Sequence, residues 1–143
     1  MEAIVISVDG ACSGRRCACA AVITQNGRVI AEGSRNLPEA GGYVLGAEVA
    51  GVSLAAHLLG AVDYALLIVE TDNPDVPRVI ERGYRPRQAA RLPARPLAEA
   101  IDFAQRHQVA FRLVPRNSTP GLRRAHRLAN RHLWAGRKQL ALH

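Results

Sequence analysis

The chain alternates between short runs of β-branched residues and longer stretches rich in alanine and leucine, and these two textures divide it into strands and helices. The first run, residues 3–8, is apolar on both faces, as befits a strand in the middle of a sheet, and it delivers Asp9 into a turn at Gly10. Residues 17–24 and 28–33 read as two further strands around Asn26-Gly27, a dipeptide that favours a tight antiparallel hairpin. A polar, glycine-rich link, 36–42, leads into GAEVAGVSLAAHLLGAV. That stretch is apolar almost all round and predicts a buried helix. Residues 64–71 form a fourth strand, which again ends on an acid, Asp72.

Asn73-Pro74 then reads as the cap and first position of a short helix through Val76, Val79 and Ile80. Residues 83–96, with Arg85, Arg87, Arg91, Arg95 and no acid, predict an irregular basic loop. A helix over 97–107, a strand over 109–114 and a turn-rich loop over 115–121 precede a last helix from 122 to 134. Leu122, Ala125, Ala129 and Leu133 form its apolar stripe, with His126 beside them. With 143 residues and no internal repeat, the chain reads as one α/β domain, 1–143.

Within residues 40–62 Glu48 is the only charged side chain when His57 is neutral. Either the helix dipole or an arginine partner accounts for it, or it faces a cation. A net charge of +7 and a pI near 10.3 favour a polyanionic partner, nucleic acid above all. All but one of the 19 cationic side chains are arginine, Lys138 being the exception. The 3 cysteines include no CxxC pair and no histidine at finger-like spacing, so neither a disulfide framework nor a zinc site is expected. Cys17 and Cys19 are expected as small buried residues on one face of a strand. No apolar run has membrane-spanning length, and Glu2 with no basic region before it argues against a signal peptide, so a cytoplasmic protein is expected.

Two strand-end aspartates and a glutamate in a buried helix form a pattern. If strands one and four are parallel neighbours, Asp9 and Asp72 emerge at one edge, and a helix across the sheet aims Glu48 between them. Three clustered carboxylates repel one another unless a hard cation neutralises them. Oxygen donors favour Mg2+ or Mn2+, the ions of phosphoryl transfer.

On the motifs VDGACSG around Asp9, AE around Glu48, TDN around Asp72 and AHRLAN at 125–130, and on the order of its elements, the chain resembles the type 1 ribonuclease H family. The resemblance implies the ribonuclease H-like fold, a mixed five-stranded sheet with strands 1–3 antiparallel, strands 1, 4 and 5 parallel, and flanking helices. It further implies two divalent ions on Asp9, Glu48 and Asp72, with His126 at the fourth ligand position, where the family usually has Asp. Hydrolysis of the RNA strand of an RNA–DNA hybrid by a monomeric enzyme is the implied activity. Gly10, Ala11, Cys12, Asn73 and Asn117 fall in its substrate-facing motifs, and Arg15, Arg85, Arg87, Arg91 and Arg116 are candidates for phosphate contacts.

The chain departs from the family where the hybrid is gripped. Arg15, Val44-Leu45 and Pro74 replace polar residues that read the minor groove, and the loop VPRNSTPG lacks a histidine. Two other readings therefore stay open: a nuclease of the same fold with a different nucleic-acid substrate, and a nucleic-acid-binding module that has given up turnover.

Overall fold

In the computed structural model, residues 3–60, 64 and 66–141 are described, with backbone alone for 136–141. Strands β1 (Ala3–Ser13), β2 (Arg16–Gln25) and β3 (Arg28–Asn36) come first, followed by helix α1 (Val44–Leu59), β4 (Leu66–Thr71) and α2 (Asp75–Arg82). Helix α3 (Ala94–Arg106), β5 (Ala110–Leu113) and α4 (Pro120–Ala141) complete the order. The sheet runs β3-β2-β1-β4-β5. β1, β2 and β3 pair antiparallel, while β1–β4 and β4–β5 are parallel. This is the expected mixed sheet.

Alternation along β2 shows how the layers form. Ala21 and Ile23 pack with Val49 and Val52 of α1, whereas Ala20 and Val22 pack with Ala125 and Ala129 of α4. Neighbouring residues of a strand point to opposite faces, so α1 and α4 sandwich the sheet. Ile4, Ile6 and Val8 join the α1 side, which α2 and α3 extend through Val76, Val79, Ala100 and Phe103. The expected stripe of α4, Leu122, Ala125, Ala129 and Leu133, is buried throughout.

Several local expectations change. Asp9-Gly10 is not a turn: β1 continues to Ser13, and the chain reverses at Gly14-Arg15, where Gly14 has φ +59°. Asn26 (φ +53°) and Gly27 (φ +73°) make the predicted hairpin turn. The glutamate helix stops at Leu59, and the rest of its predicted extent, 61–62, lies outside the described residues, as does Ala65 of the predicted fourth strand. The stretch 83–96 is more regular than expected. It holds a 3-10 turn over Ala89–Arg91, and α3 begins at Ala94. The last helix runs on past Trp134 to Ala141.

The cysteine expectation is overturned in part. Cys12 and Cys17 are bonded as a disulfide, because the longer β1 makes them directly opposed partners in the antiparallel register with β2. Cys19 is free and buried, as expected.

Candidate metal and nucleic-acid site

The parallel pairing of β1 with β4 ends at Ser7 opposite Glu70. Asp9 and Asp72 each lie two residues further on, at the carboxyl edge of the parallel strands where open α/β sheets place their sites. Glu48 arrives from the first turns of α1. Gly10 makes that approach possible: a Cβ there would lie 2.7 Å from Ala47 Cβ and 2.9 Å from the backbone nitrogen of Glu48. The packing of α1 against β1 thus carries Glu48 to Asp9, and one ligand oxygen from each of Asp9, Glu48 and Asp72 falls within 4.8 Å of the others.

Burial sets the electrostatics of this cluster. Glu48 is 5% exposed and Asp9 8%. Desolvation raises the Glu48 carboxyl to about 8 against the opposing hydrogen bond from Asn73, and the charges of Asp9, Asp72 and Asp75 add to the rise. Burial also raises Asp9, against hydrogen bonds from His126 and the Gly10 backbone. Three carboxylate oxygens packed this closely, with Glu48 held by the neutral Asn73 amide, are the donor set of a hard divalent ion, so the residues fit magnesium or manganese.

Two neighbours hold the acids in place. Asn73 Nδ2 donates to Glu48 Oε2 at 2.6 Å, while its Oδ1 accepts from the Asp75 backbone N–H at 2.9 Å at the start of α2. His126 lies with Nδ1 2.9 Å from Asp9 Oδ2. An ionised carboxylate only accepts, so Nδ1 carries the hydrogen and a neutral ring leaves Nε2 bare. The Asn130 amide sits 3.4 Å from Nε2 and donates to the His126 carbonyl at 2.9 Å. His126 therefore meets the cluster through Asp9; the oxygen triad itself holds the three acids alone among the described residues.

These groups line a cleft of ≈ 530 Å³. Of the predicted substrate-facing residues, Gly10, Ala11, Cys12, Asn73 and Arg116 line it. Arg15 belongs to a neighbouring hollow. Arg85 bonds the carbonyls of Val79 and Tyr84, and Arg91 bonds the Gly41 carbonyl and lies over the Tyr43 ring, so both tie local structure together. Arg87 is exposed, and Asn117 sits at φ +55° in the loop before α4, its carbonyl accepting from Arg123.

Sequence reasoning missed Asn130 as a site residue, though it closes the AHRLAN motif, and it missed Glu70. Glu70 is buried beneath the cleft, its Oε1 accepting from Ser7 Oγ (2.6 Å) and Thr119 Oγ1 (2.6 Å) and its Oε2 from Arg112 (2.8 Å). Burial pushes its carboxyl up, but these hydrogen bonds together outweigh that and hold it below the usual range. Thr119 in turn caps α4 by accepting from the Leu122 N–H. Gly121 lets the helix close on β1, since a Cβ there would lie 2.1 Å from Ser7 Oγ. The network fixes the end of α4 that presents His126. Its only sequence signal was an acid inside a strand otherwise built of apolar residues.

Sheet order, the two helical layers and a carboxylate cluster at the edge of β1 and β4 define a ribonuclease H-like fold. The N-terminal RNase H domain of rv2228c from Mycobacterium tuberculosis is similar in structure, with a TM-score of 0.76, 21% identity, and 98% of this chain and 99% of that one covered. RNase H1 from the halophilic archaeon Halobacterium salinarum follows at a TM-score of 0.68 and 22% identity, covering 92% of this chain and 97% of its own. LC11-RNase H1, isolated from compost and solved in complex with an RNA/DNA hybrid, has a TM-score of 0.66 and 19% identity, over 93% of this chain and 98% of that one. No family model and no curated protein matches the sequence. Among the described residues, no helix is long and apolar enough to cross a membrane.

Proposed function

We propose that this chain is a divalent-metal-dependent endonuclease that hydrolyses the RNA strand of RNA–DNA hybrids, acting as a single-domain, cytoplasmic monomer. The observation that carries the reading is the meeting of Asp9, Glu48 and Asp72 within 4.8 Å in a cleft lined by Arg116. A similar fold solved with an RNA/DNA hybrid supports the choice of substrate.

Asp9, Glu48 and Asp72 would hold two magnesium or manganese ions. Bound there, the ions supply an activated water and neutralise charge on the leaving oxygen. Asp9, between the other two elements, is oriented by the His126 Nδ1–H. Glu48 is held by Asn73, and the rigid start of α2 fixes Asn73 in turn. His126 Nε2 points a lone pair toward Asn130 at the cleft wall, where it takes up or passes on a proton or serves as a further ligand. Arg116, which lines the same cleft as the acids, neutralises a phosphate of the bound strand.

A second reading, a nuclease of this fold with another nucleic-acid substrate, is favoured by Val44 and Pro74. These apolar residues line the cleft where hybrid-reading amides were expected. One experiment separates the readings: cleavage of end-labelled RNA–DNA hybrid, RNA duplex and DNA duplex with magnesium or manganese, beside Asp9→Asn. Cutting of the hybrid's RNA strand alone, lost in Asp9→Asn, supports the first reading. Cutting of another duplex supports the second, and binding without any cleavage refutes both.

A further inference from the structure

Helix α4 carries no aspartate or glutamate in its 22 residues. Its buried stripe, Leu122, Ala125, Ala129 and Leu133, fixes where the rest of the helix points. At 3.6 residues per turn, Arg124, Arg127 and Arg131 come out about 150° round from that stripe, and all three are exposed. Two contacts on the β3 side clamp the helix in this orientation. Arg124 takes both oxygens of Glu32, its Nη2 donating to Oε1 at 2.7 Å, and Ser34 Oγ lies 2.9 Å from His132 Nδ1.

The clamp leaves two cations over. Arg127 and Arg131 make no hydrogen bond or ion pair among the described residues. The charge of Arg131 reaches Glu32, but Arg124 already neutralises that acid. Arg123, tied to the Asn117 carbonyl at 3.1 Å, continues the row toward the start of the helix. Arg123 with Arg127, and Arg127 with Arg131, are like charges at i,i+4, which work against the helix that bears them. Nothing among the described residues compensates the row, so its counter-charge comes from outside the fold. Guanidinium forks match phosphate oxygens, and contacts to phosphates carry no sequence preference.

This face is not the acid cleft. His126 and Asn130 line the cleft, while Arg127 and Arg131 do not. Each arginine follows its cleft-lining neighbour by one position, which carries it about 100° further round the helix. A phosphate held there belongs to a stretch of backbone other than the strand beside the acids.

We propose that the outer face of α4, centred on Arg127 and Arg131, is a second nucleic-acid interface, holding the phosphate backbone of a duplex segment outside the acid cleft whatever its sequence or sugar. It rests on the nucleic-acid reading of the cleft and adds to it a means of staying on long nucleic acid between cuts.

Asp9→Asn protein, which holds off cleavage, is first saturated in magnesium with a short blunt RNA–DNA hybrid just long enough to fill the cleft. It is then titrated with a dye-labelled DNA duplex at several salt concentrations, and binding is read by anisotropy. The expected result is that the DNA duplex still binds. Adding Arg127→Ala and Arg131→Ala weakens that binding and flattens the slope of log affinity against log salt by about 2. With Asp9 intact, the same two substitutions leave kcat and KM for the short hybrid unchanged. They also leave the melting temperature no lower than wild type, since they relieve like-charge pairs.

A DNA duplex shut out by the hybrid overturns the second interface while the cleft stands. So does an unchanged affinity and slope in the arginine variant, or a KM for the short hybrid that rises with it. Vesicles containing phosphatidylserine test a membrane as the partner: loss of vesicle binding in the variant with duplex binding kept overturns the proposal. A DNA duplex that binds through the arginines while no hybrid binds keeps this face and removes the cleft reading. If neither nucleic acid binds, both fall.

Discussion

His126 Nδ1 lies 2.9 Å from Asp9 Oδ2, joining α4 to the centre of the sheet at the point where two carboxylates have already been stripped of water. The bond makes His126 a positioning group for Asp9 on one nitrogen and leaves the other for the cleft. His126→Ala is expected to lower kcat about 10- to 100-fold, the usual effect of losing a group that orients a metal ligand. His126→Asn, which still donates to Asp9, should recover part of kcat while KM stays near wild type. Steady-state kinetics of the three proteins in magnesium and in manganese checks this; equal activity of the alanine and wild-type proteins would remove His126 from the site.

Glu48 gives a pH signature to the metal-free protein. Its folded carboxyl is raised to about 8 from the usual 4.5, so its contribution to stability is fully present below pH 4.5 and is lost as pH rises through 8. Glu48→Gln keeps an acceptor for Asn73 without the charge. In chelator at pH 8 it is expected to melt a few degrees higher than wild type, and magnesium should stabilise it less. Thermal melts across pH 5–9, with chelator or with magnesium, decide the matter; a melting point that magnesium raises equally in both proteins would mean the ion does not meet Glu48.

Asn73→Ala is predicted to weaken divalent-ion binding about 10- to 100-fold, since it releases the side chain that holds Glu48. Calorimetric titration with manganese reads the affinity directly. An unchanged affinity would assign Asn73 to the start of α2 alone, through its bond to the Asp75 N–H.

Gly10→Ala forces a methyl into Ala47 and the backbone of Glu48. Overpacking of this kind costs about 1–3 kcal/mol. Because the strain falls on the residue that carries a ligand, activity should drop well beyond what the lost stability explains. Urea unfolding and cleavage rates on the same preparation separate the two effects.

The Cys12–Cys17 disulfide closes a short loop across the β1–β2 turn, so its loss should cost about 2 kcal/mol. Cys12→Ser with Cys17→Ser is expected to fold and to keep its cleavage activity, because the three acids and the Asn73 and His126 side chains that hold them are untouched. Thiol-reducing conditions should give the same result, which a melt with and without reductant tests.

Much of the architecture was legible because it rests on local patterns. Apolar runs marked every strand, Asn26-Gly27 marked its hairpin, and the stripe from Leu122 to Leu133 marked the buried face of α4. The errors share one cause, residues whose local signal is overridden by a neighbour. Asp9-Gly10 has the composition of a turn, yet Gly10 is there because α1 presses on β1, and the strand runs through it. That extension in turn brought Cys12 opposite Cys17, a pairing that spacing alone did not reveal. In residues 83–96, proline and arginine suggested disorder of pattern, but Arg91 is drawn into order by the Gly41 carbonyl and the Tyr43 ring.

By itself the sequence determined the order of elements and the three acids, because hydrophobic periodicity and an acid in an apolar setting are properties of neighbouring residues. Tertiary structure alone decided how the acids meet and what holds them: Asn73 on Glu48, His126 on Asp9, Glu70 beneath the start of α4. Those contacts join residues far apart in the chain, and a hydrogen bond depends on distances that no run of neighbouring residues contains.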